Sequence, residues 1–335
     1  MSGKPNKIFL ATLPTPLIPL KRTLRESEIN IWVKRDDLTG SAESGNKIRK
    51  LEFLCADALQ KNSDVLISCG GEQSNHCRAV AIVARRLGMD VHLVLRRTGE
   101  GPTGNWLLDI ILGATFRWVT AKQYEHHDEI MEEEAQKLRQ QGKNPYIIPE
   151  GGSNSLGVWG YFTAAEEIIT QCRENNFIPD YVIVASGSGA TYAGLWTGFG
   201  KLNVPTKIIG ITAGPDIQQQ KEHISKITSE FIQKYDFDIQ HNPDEITLID
   251  GFWGKGYGVM DEELTKFISQ FAQNEGIILD PTYTGKAFKG AFEMIGQGKF
   301  NHAKNIVLVH TGGIYGLFPK GQYFRELYYS GARVK

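Results

Sequence analysis

Apolar positions along this chain fall by turns into short continuous runs and into stretches spaced three and four residues apart, which predicts strands and one-sided helices in alternation. Residues 31–34 read as a short strand, and 46–59 as a helix with Ile48, Leu51, Leu54, Cys55 and Ala58 on one face. Strands follow at 64–68, 91–95 and 115–119, separated by helical patterns over 74–87 and 105–112. A charged helix over 124–141 leads to a short strand at 146–148, and the bend Gly151-Gly152-Ser153-Asn154 punctuates the chain. Past it come a helix over 155–172, a very apolar strand at 181–185, a helix opened by the loop 186–191, and a strand at 207–211. Helices over 218–234 and 262–274 and a late strand at 305–309 complete the pattern, with no internal repeat. Such alternation predicts an α/β fold whose sheets are largely parallel.

A length of 335 residues exceeds one ordinary core and suits two lobes. The formal net charge of -1 gives no global attraction to nucleic acid or anionic membrane. No apolar run could span a bilayer. Residues 1–10 contain two lysines and no apolar segment of the secretory kind, so a cytoplasmic location is expected. Cys55, Cys69, Cys77 and Cys172 form no CxxC pair, which agrees with reduced thiols in that compartment. The histidines are scattered and make no HExxH pattern, so no protein-held metal is expected.

Two glycine-rich turns each join a strand to a helix. In Ser186-Gly187-Ser188-Gly189-Ala190-Thr191 the glycines let backbone approach an anion, helix-start N–H groups complement phosphate, and Ser188 and Thr191 add hydroxyls. The loop lacks the Gly-Lys-Ser/Thr ending of a Walker loop. Thr212 and Ala213, rather than an acid, follow the next strand, which argues against a dinucleotide site. The second turn, Gly70-Gly71-Glu72-Gln73-Ser74-Asn75-His76, offers either a carboxylate cradle or simply a helix cap from Ser74 or Asn75. One such turn per lobe suits a small charged ligand in the cleft between them.

Between these turns and the N-terminus lies Asn46-Lys47-Ile48-Arg49-Lys50, where Lys47 and Lys50 share a helical face. A solvated basic helix start is the plain reading. Cations there oppose the helix dipole, however, and cationic crowding lowers an amine's pKa toward the neutral form that attacks a carbonyl. Later in the chain, Asp280-Pro281-Thr282-Tyr283-Thr284-Gly285-Lys286 and His310-Thr311-Gly312-Gly313 place polar residues at the ends of apolar segments, as crevice lining or as helix caps. Tyr257 sits in a glycine-rich loop, where packing alone would also explain an aromatic.

Taken in order from Thr15-Pro16-Leu17 to Thr311-Gly312-Gly313, these stretches resemble the 1-aminocyclopropane-1-carboxylate deaminase/D-cysteine desulfhydrase family, a branch of the tryptophan-synthase-β-like enzymes that use pyridoxal 5'-phosphate (PLP). The resemblance is carried by Ser44-Gly45-Asn46-Lys47-Ile48-Arg49-Lys50-Leu51-Glu52 together with the 70–76 turn. It implies two lobes, each an open and largely parallel sheet flanked by helices. The large cofactor-binding domain would comprise 1–48 and 157–335, and a small domain, 49–156, would be inserted into it. A small amino-acid substrate and a homodimer are implied as well. Lys47 would be the Schiff-base lysine and the base for the substrate's Cα proton. Asn75 would hydrogen-bond the cofactor's phenolic oxygen, and Ser74 would meet the substrate carboxylate and offer a catalytic hydroxyl. Gly187, Ser188, Gly189, Ala190 and Thr191 match the phosphate cup, with Ala190 where the family often has glycine. Tyr257 and Tyr283 match two hydroxyls facing the substrate.

The deaminase branch carries glutamate after the matching tyrosine and leucine before the paired glycines; this chain has Thr284 and Thr311, both expected beside the cofactor. A glutamate can keep the pyridine nitrogen protonated, whereas a threonine hydroxyl supplies no such charge. Opening a cyclopropane needs that deeper electron sink more than expelling a thiol from Cβ does. The expectation is therefore β-elimination of D-cysteine to pyruvate, hydrogen sulfide and ammonia. Its alternatives are 1-aminocyclopropane-1-carboxylate deamination to 2-oxobutyrate and ammonia, and a catalytically silent small-molecule binder. β-Replacement enzymes usually carry a Thr-Ser-Gly-Asn-Thr-Gly loop, absent here.

Overall fold

The computed structural model describes residues 3–23, 28–99 and 101–329. Its strands are β1 (Leu17–Pro19), β2 (Asn30–Lys34), β3 (Val65–Gly71), β4 (Asp90–Arg96), β5 (Thr115–Val119), β6 (Pro145–Ile147), β7 (Tyr181–Ser186), β8 (Lys207–Thr212), β9 (Thr247–Ile249) and β10 (Asn305–Val309). They form two sheets. One has six strands in the order β1-β2-β10-β7-β8-β9, parallel except for β1 against β2. The other has four parallel strands in the order β5-β4-β3-β6. The first six residues of β3 are all buried, as a central parallel strand covered on both faces requires. This is the helix-flanked α/β architecture that the alternating pattern predicts.

The helices are α1 (Asn46–Gln60), α2 (Asn75–Arg86), α3 (Gly104–Ile111), α4 (Ala121–Tyr124), α5 (His127–Gln140), α6 (Trp159–Glu174), α7 (Ala190–Lys201), α8 (Ile217–Tyr235), α9 (Glu262–Glu275), α10 (Thr284–Gly296) and α11 (Gly321–Tyr329). The charged helix expected over 124–141 is α5, and a separate one-turn helix, α4, precedes it. A Thr120–Gln123 capping box starts α4, which ends after one turn before α5 begins. α6 and α7 pack closely because glycines face the contact: a Cβ on Gly194 would lie 2.6 Å from Tyr161 Cβ, and one on Gly198 2.5 Å from Ala165 Cβ.

α1 is the element that matters most for the chemistry, and a buried ionic network fixes it. Arg49 donates through Nε and Nη2 to Asp36, at 2.8 Å each, and through Nη1 and Nη2 to Glu167 on α6, at 2.9 Å each. Lys34 on β2 joins the same Glu167, and Tyr161 donates to Asp36. Arg49 is therefore a structural cation tying α1 to β2 and α6, and the helix start is not a solvated basic face. Gly160 admits the α1 backbone, since a Cβ there would come within 2.7 Å of Arg49 C and Lys50 N.

Candidate active site

β3, β7, β8 and β10 end toward one cavity of about 270 Å³, the carboxyl-edge crevice expected of parallel sheets. Lys47, Ser74, Asn75, Gly187, Ser188, Gly189, Thr191, Tyr257, Tyr283 and Thr311 all line it. Elements from both sheets thus meet at the expected residues. Ala190 and Thr284 lie behind the wall. Ala190 N donates to Ser153 Oγ at 3.4 Å. The Thr284 hydroxyl donates to Asp280 Oδ1 at 2.7 Å and accepts from Asp280 N at 2.9 Å.

Each glycine-rich turn has a local cause. At the first, Ser74 caps α2 by accepting from Cys77 N at 3.1 Å, and Gly70 leaves the room: its Cβ would fall 2.5 Å from Ser74 Oγ. At the second, Gly189 precedes α7 at φ +92, where a side chain would be strained and would press on Ile224. Gly189 gives α7 no side-chain cap of its own, although Ser153 Oγ accepts from the Ala190 amide, and the positive end of that helix faces the cavity. Ser153 donates to Ser188 Oγ at 2.7 Å, and Gly151 stacks so closely on Ser188 that a Cβ would come within 2.1 Å of its Oγ.

Burial holds the Lys47 amine at about 8, against 10.5 for a free lysine, while the Glu150 and Asp280 carboxylates pull the other way. The crowding of cations expected from sequence is not the cause; desolvation is. Lys50, one turn on, donates to Gly151 O at 3.0 Å and does not line the cavity. The Tyr257 and Tyr283 hydroxyls are hydrogen-bonded to each other, with rings edge to face at 5.8 Å. Tyr257 is 46% exposed overall, but burial of its hydroxyl pushes the phenol up to about 12, while the hydrogen bond with Tyr283 pulls the other way. Burial raises Tyr283 further.

The sequence reading missed part of the lining: Asn46, His76, Arg96, Tyr124, Glu150 and Gln220. His76 bonds Ser68 Oγ at 2.9 Å, and burial with the Lys47 and Lys50 charges keeps it well below the usual histidine range, hence neutral. Tyr124 donates to Glu150 Oε1 at 2.6 Å, and the Arg96 guanidinium lies over the Tyr124 ring at 5.5 Å and the Tyr257 ring at 5.9 Å. Arg96 closes β4 and Glu150 precedes the Gly151-Gly152 bend, so their positions at element ends were the available signal. Tyr124 gave none, because it fell inside the helix expected to be continuous.

Comparison with known proteins identifies the scaffold. Residues 8–312 match the family model described as pyridoxal-phosphate dependent enzyme. The chain belongs to this family. Relatives within it include a Thermotoga maritima protein provisionally named 1-aminocyclopropane-1-carboxylate deaminase, 40% identical over 94% of this chain and 99% of its own length. A Klebsiella pneumoniae protein named D-cysteine desulfhydrase is 39% identical over 93% of this chain and 95% of its own. A solved structure titled as an ACC deaminase homologue superposes with a TM-score of 0.90, at 37% identity and 97% coverage of both chains. The protein is accordingly a PLP-dependent lyase of this family. The cavity fits the cofactor. It presents a desolvated amine at Lys47 and the positive end of α7 for a phosphate, and among the described residues Ser186 Oγ, His76 Nδ1 and Gln220 Oε1 on its walls have no hydrogen-bonding protein partner. Among the described residues no cluster of ligands could hold a metal, and no helix is long and apolar enough to cross a membrane.

Proposed function

We propose that this lyase eliminates hydrogen sulfide from D-cysteine, leaving pyruvate and ammonia. PLP, when bound, supplies an electron sink beside the substrate's Cα. Lys47 would hold the cofactor and would serve as base for the substrate's Cα proton, because its desolvated amine is partly neutral near physiological pH. Gly187, Ser188, Gly189 and Thr191 would hold the phosphate, with Ala190 behind them giving its amide to Ser153 Oγ. Asn75 would donate to the phenolic oxygen, and Ser74 with the turn before it would hold the substrate carboxylate. Tyr257 and Tyr283 keep their protons at neutral pH, so one can protonate the departing sulfur while its neighbour hydrogen-bonds to it.

The observation that carries the desulfhydrase reading is the neutral character of the wall near the two threonines. Thr311 lines the cavity and Thr284 stands where the deaminase branch has glutamate. The neighbouring Asp280 carboxylate is taken up by the first turn of α10, accepting from the amides of Thr282, Tyr283 and Thr284. Neither threonine side chain carries a charge that would hold the pyridine nitrogen protonated. The provisional name of the Thermotoga relative favours the second reading, deamination of 1-aminocyclopropane-1-carboxylate. Side-by-side turnover of D-cysteine, L-cysteine, D-serine and 1-aminocyclopropane-1-carboxylate decides between them: D-cysteine should be fastest, and preference for the cyclopropane would sink the desulfhydrase reading. Lys47→Ala should fold and lose turnover, whereas Lys50→Ala should keep the bound cofactor's visible absorbance.

The separate four-stranded sheet supports an inserted small lobe over 49–156 within a larger one. Four buried, unbridged cysteines agree with a cytoplasmic homodimer's reducing surroundings; cell fractionation and light scattering check location and assembly.

A further inference from the structure

Asn105, in the first turn of α3, is fully buried and touches no part of the cavity. Its Nδ2 donates twice, to the backbone carbonyl of Gln73 at 3.0 Å and to Asn75 Oδ1 at 3.0 Å. Its backbone N donates to Gln73 Oε1 at 3.0 Å, and Gln73 Nε2 donates to Thr103 O at 2.9 Å. The interlock is tight, since a Cβ on Gly104 would lie 2.5 Å from both Gln73 Oε1 and Tyr315 O.

This chain of bonds has a fixed direction. A backbone carbonyl can only accept, so the Asn105 atom facing Gln73 must be the NH2 group rather than the oxygen. That group has its second hydrogen for Asn75, so the Asn75 atom facing it must be the oxygen. The Asn75 amide is then left with its NH2 on the other side, where it donates to no group of the protein among the described residues and where Asn75 lines the cavity. A free asparagine amide turns by 180° at little cost, exchanging a donor for an acceptor. Here that exchange would set the Asn75 NH2 against the Asn105 NH2, two donors with no acceptor between them.

We propose that Asn105 is a positioning residue that fixes the polarity of the Asn75 amide, so that an N–H and never a C=O is presented to the cofactor's phenolic oxygen. The proposal rests on the reading of Asn75 as the partner of that oxygen. A donor there favours the ionised phenol and thereby sets the pH at which the bound cofactor's visible absorbance changes. Without Asn105, Asn75 samples both orientations and the donation weakens.

The test is a double-mutant cycle read by absorbance titration of the PLP-loaded protein. Asn75→Ala should move the titration midpoint to higher pH by about one to two units, as expected for loss of one bond to a charged group. Asn105→Leu, which brings no charge, should move it in the same direction by part of that amount. Asn105→Leu added to Asn75→Ala should move it no further. Asn105→Ala serves the same cycle should the leucine variant not fold. A midpoint moved by Asn75→Ala but not by either Asn105 change overturns the positioning role alone. Additive shifts overturn it too, because Asn105 would then act by another route. A midpoint that Asn75→Ala leaves unchanged overturns the reading of Asn75 itself.

Discussion

The two threonines share a chemistry but not a role. Thr284 spends its hydroxyl on Asp280 as donor and acceptor inside the first turn of α10, whereas Thr311 lines the cavity and anchors Asn46 N through its backbone oxygen at 3.0 Å. Thr284→Val should therefore cost stability, about 1–3 kcal/mol for the buried groups left unpaired, with turnover per folded molecule little changed. Thr311→Val should leave stability nearly intact and alter the ratio of D-cysteine to cyclopropane turnover; denaturant melts and paired assays separate the two outcomes. Lys47 gives a pH prediction. With its amine at about 8 in the folded protein, about one tenth is neutral at pH 7. PLP uptake by apoprotein should thus quicken about tenfold per pH unit below 8 and level off above it, followed by visible absorbance; a flat profile from pH 6 to 9 would contradict the assignment. The same depression has a stability sign. Below pH 8 the folded state bears the cost of a buried charge, and between 8 and 10.5 the unfolded chain binds more protons, so apoprotein stability attributable to this group rises across that window.

At the scale of elements, α1 is set by charges that the sequence made visible but did not explain. Asp36 is fully buried, and its bonds from Arg49, Thr15 and Tyr161 replace the water it has lost. Asp36→Ala strands the Arg49 guanidinium beside a single remaining carboxylate, Glu167, and should destabilise by about 3–5 kcal/mol in a urea melt. Cofactor affinity should fall with it, since α1 carries Lys47; a melt unchanged from the parent would show that Glu167 suffices. α8 was legible because its period reports burial directly, whereas α1 and α2 were legible from their apolar spacing although the fold buries them on nearly every side. β1 and β9, three residues each, and α10, which has buried residues around most of its surface, were not, because short or evenly apolar segments carry no period. The separate start of α4 depends on a capping box whose Thr120 and Gln123 read equally well as surface residues.

Across the whole molecule, the site is legible where backbone chemistry dictates residue type and obscure where distant side chains converge. Glycine turns and the Lys47 motif announced themselves, but Glu150 and Arg96 reach the cavity from separate parts of the chain, and only their places at element ends mark them. Because both sheets contribute to one cavity, a ligand filling it should stabilise the chain as a unit. By mass action PLP at 100 times its dissociation constant adds about 2.7 kcal/mol, enough for a shift of a few degrees in melting temperature. Lys47→Ala separates the two ways the cofactor is held. If the start of α7 and the Ser188 turn bind phosphate independently of the amine, this variant should still melt higher with PLP, by less than the parent does. Pyridoxal, which has the carbonyl and no phosphate, should give the variant no shift at all. Equal shifts with PLP and pyridoxal in Lys47→Ala would remove the phosphate cup from its proposed place at the α7 turn.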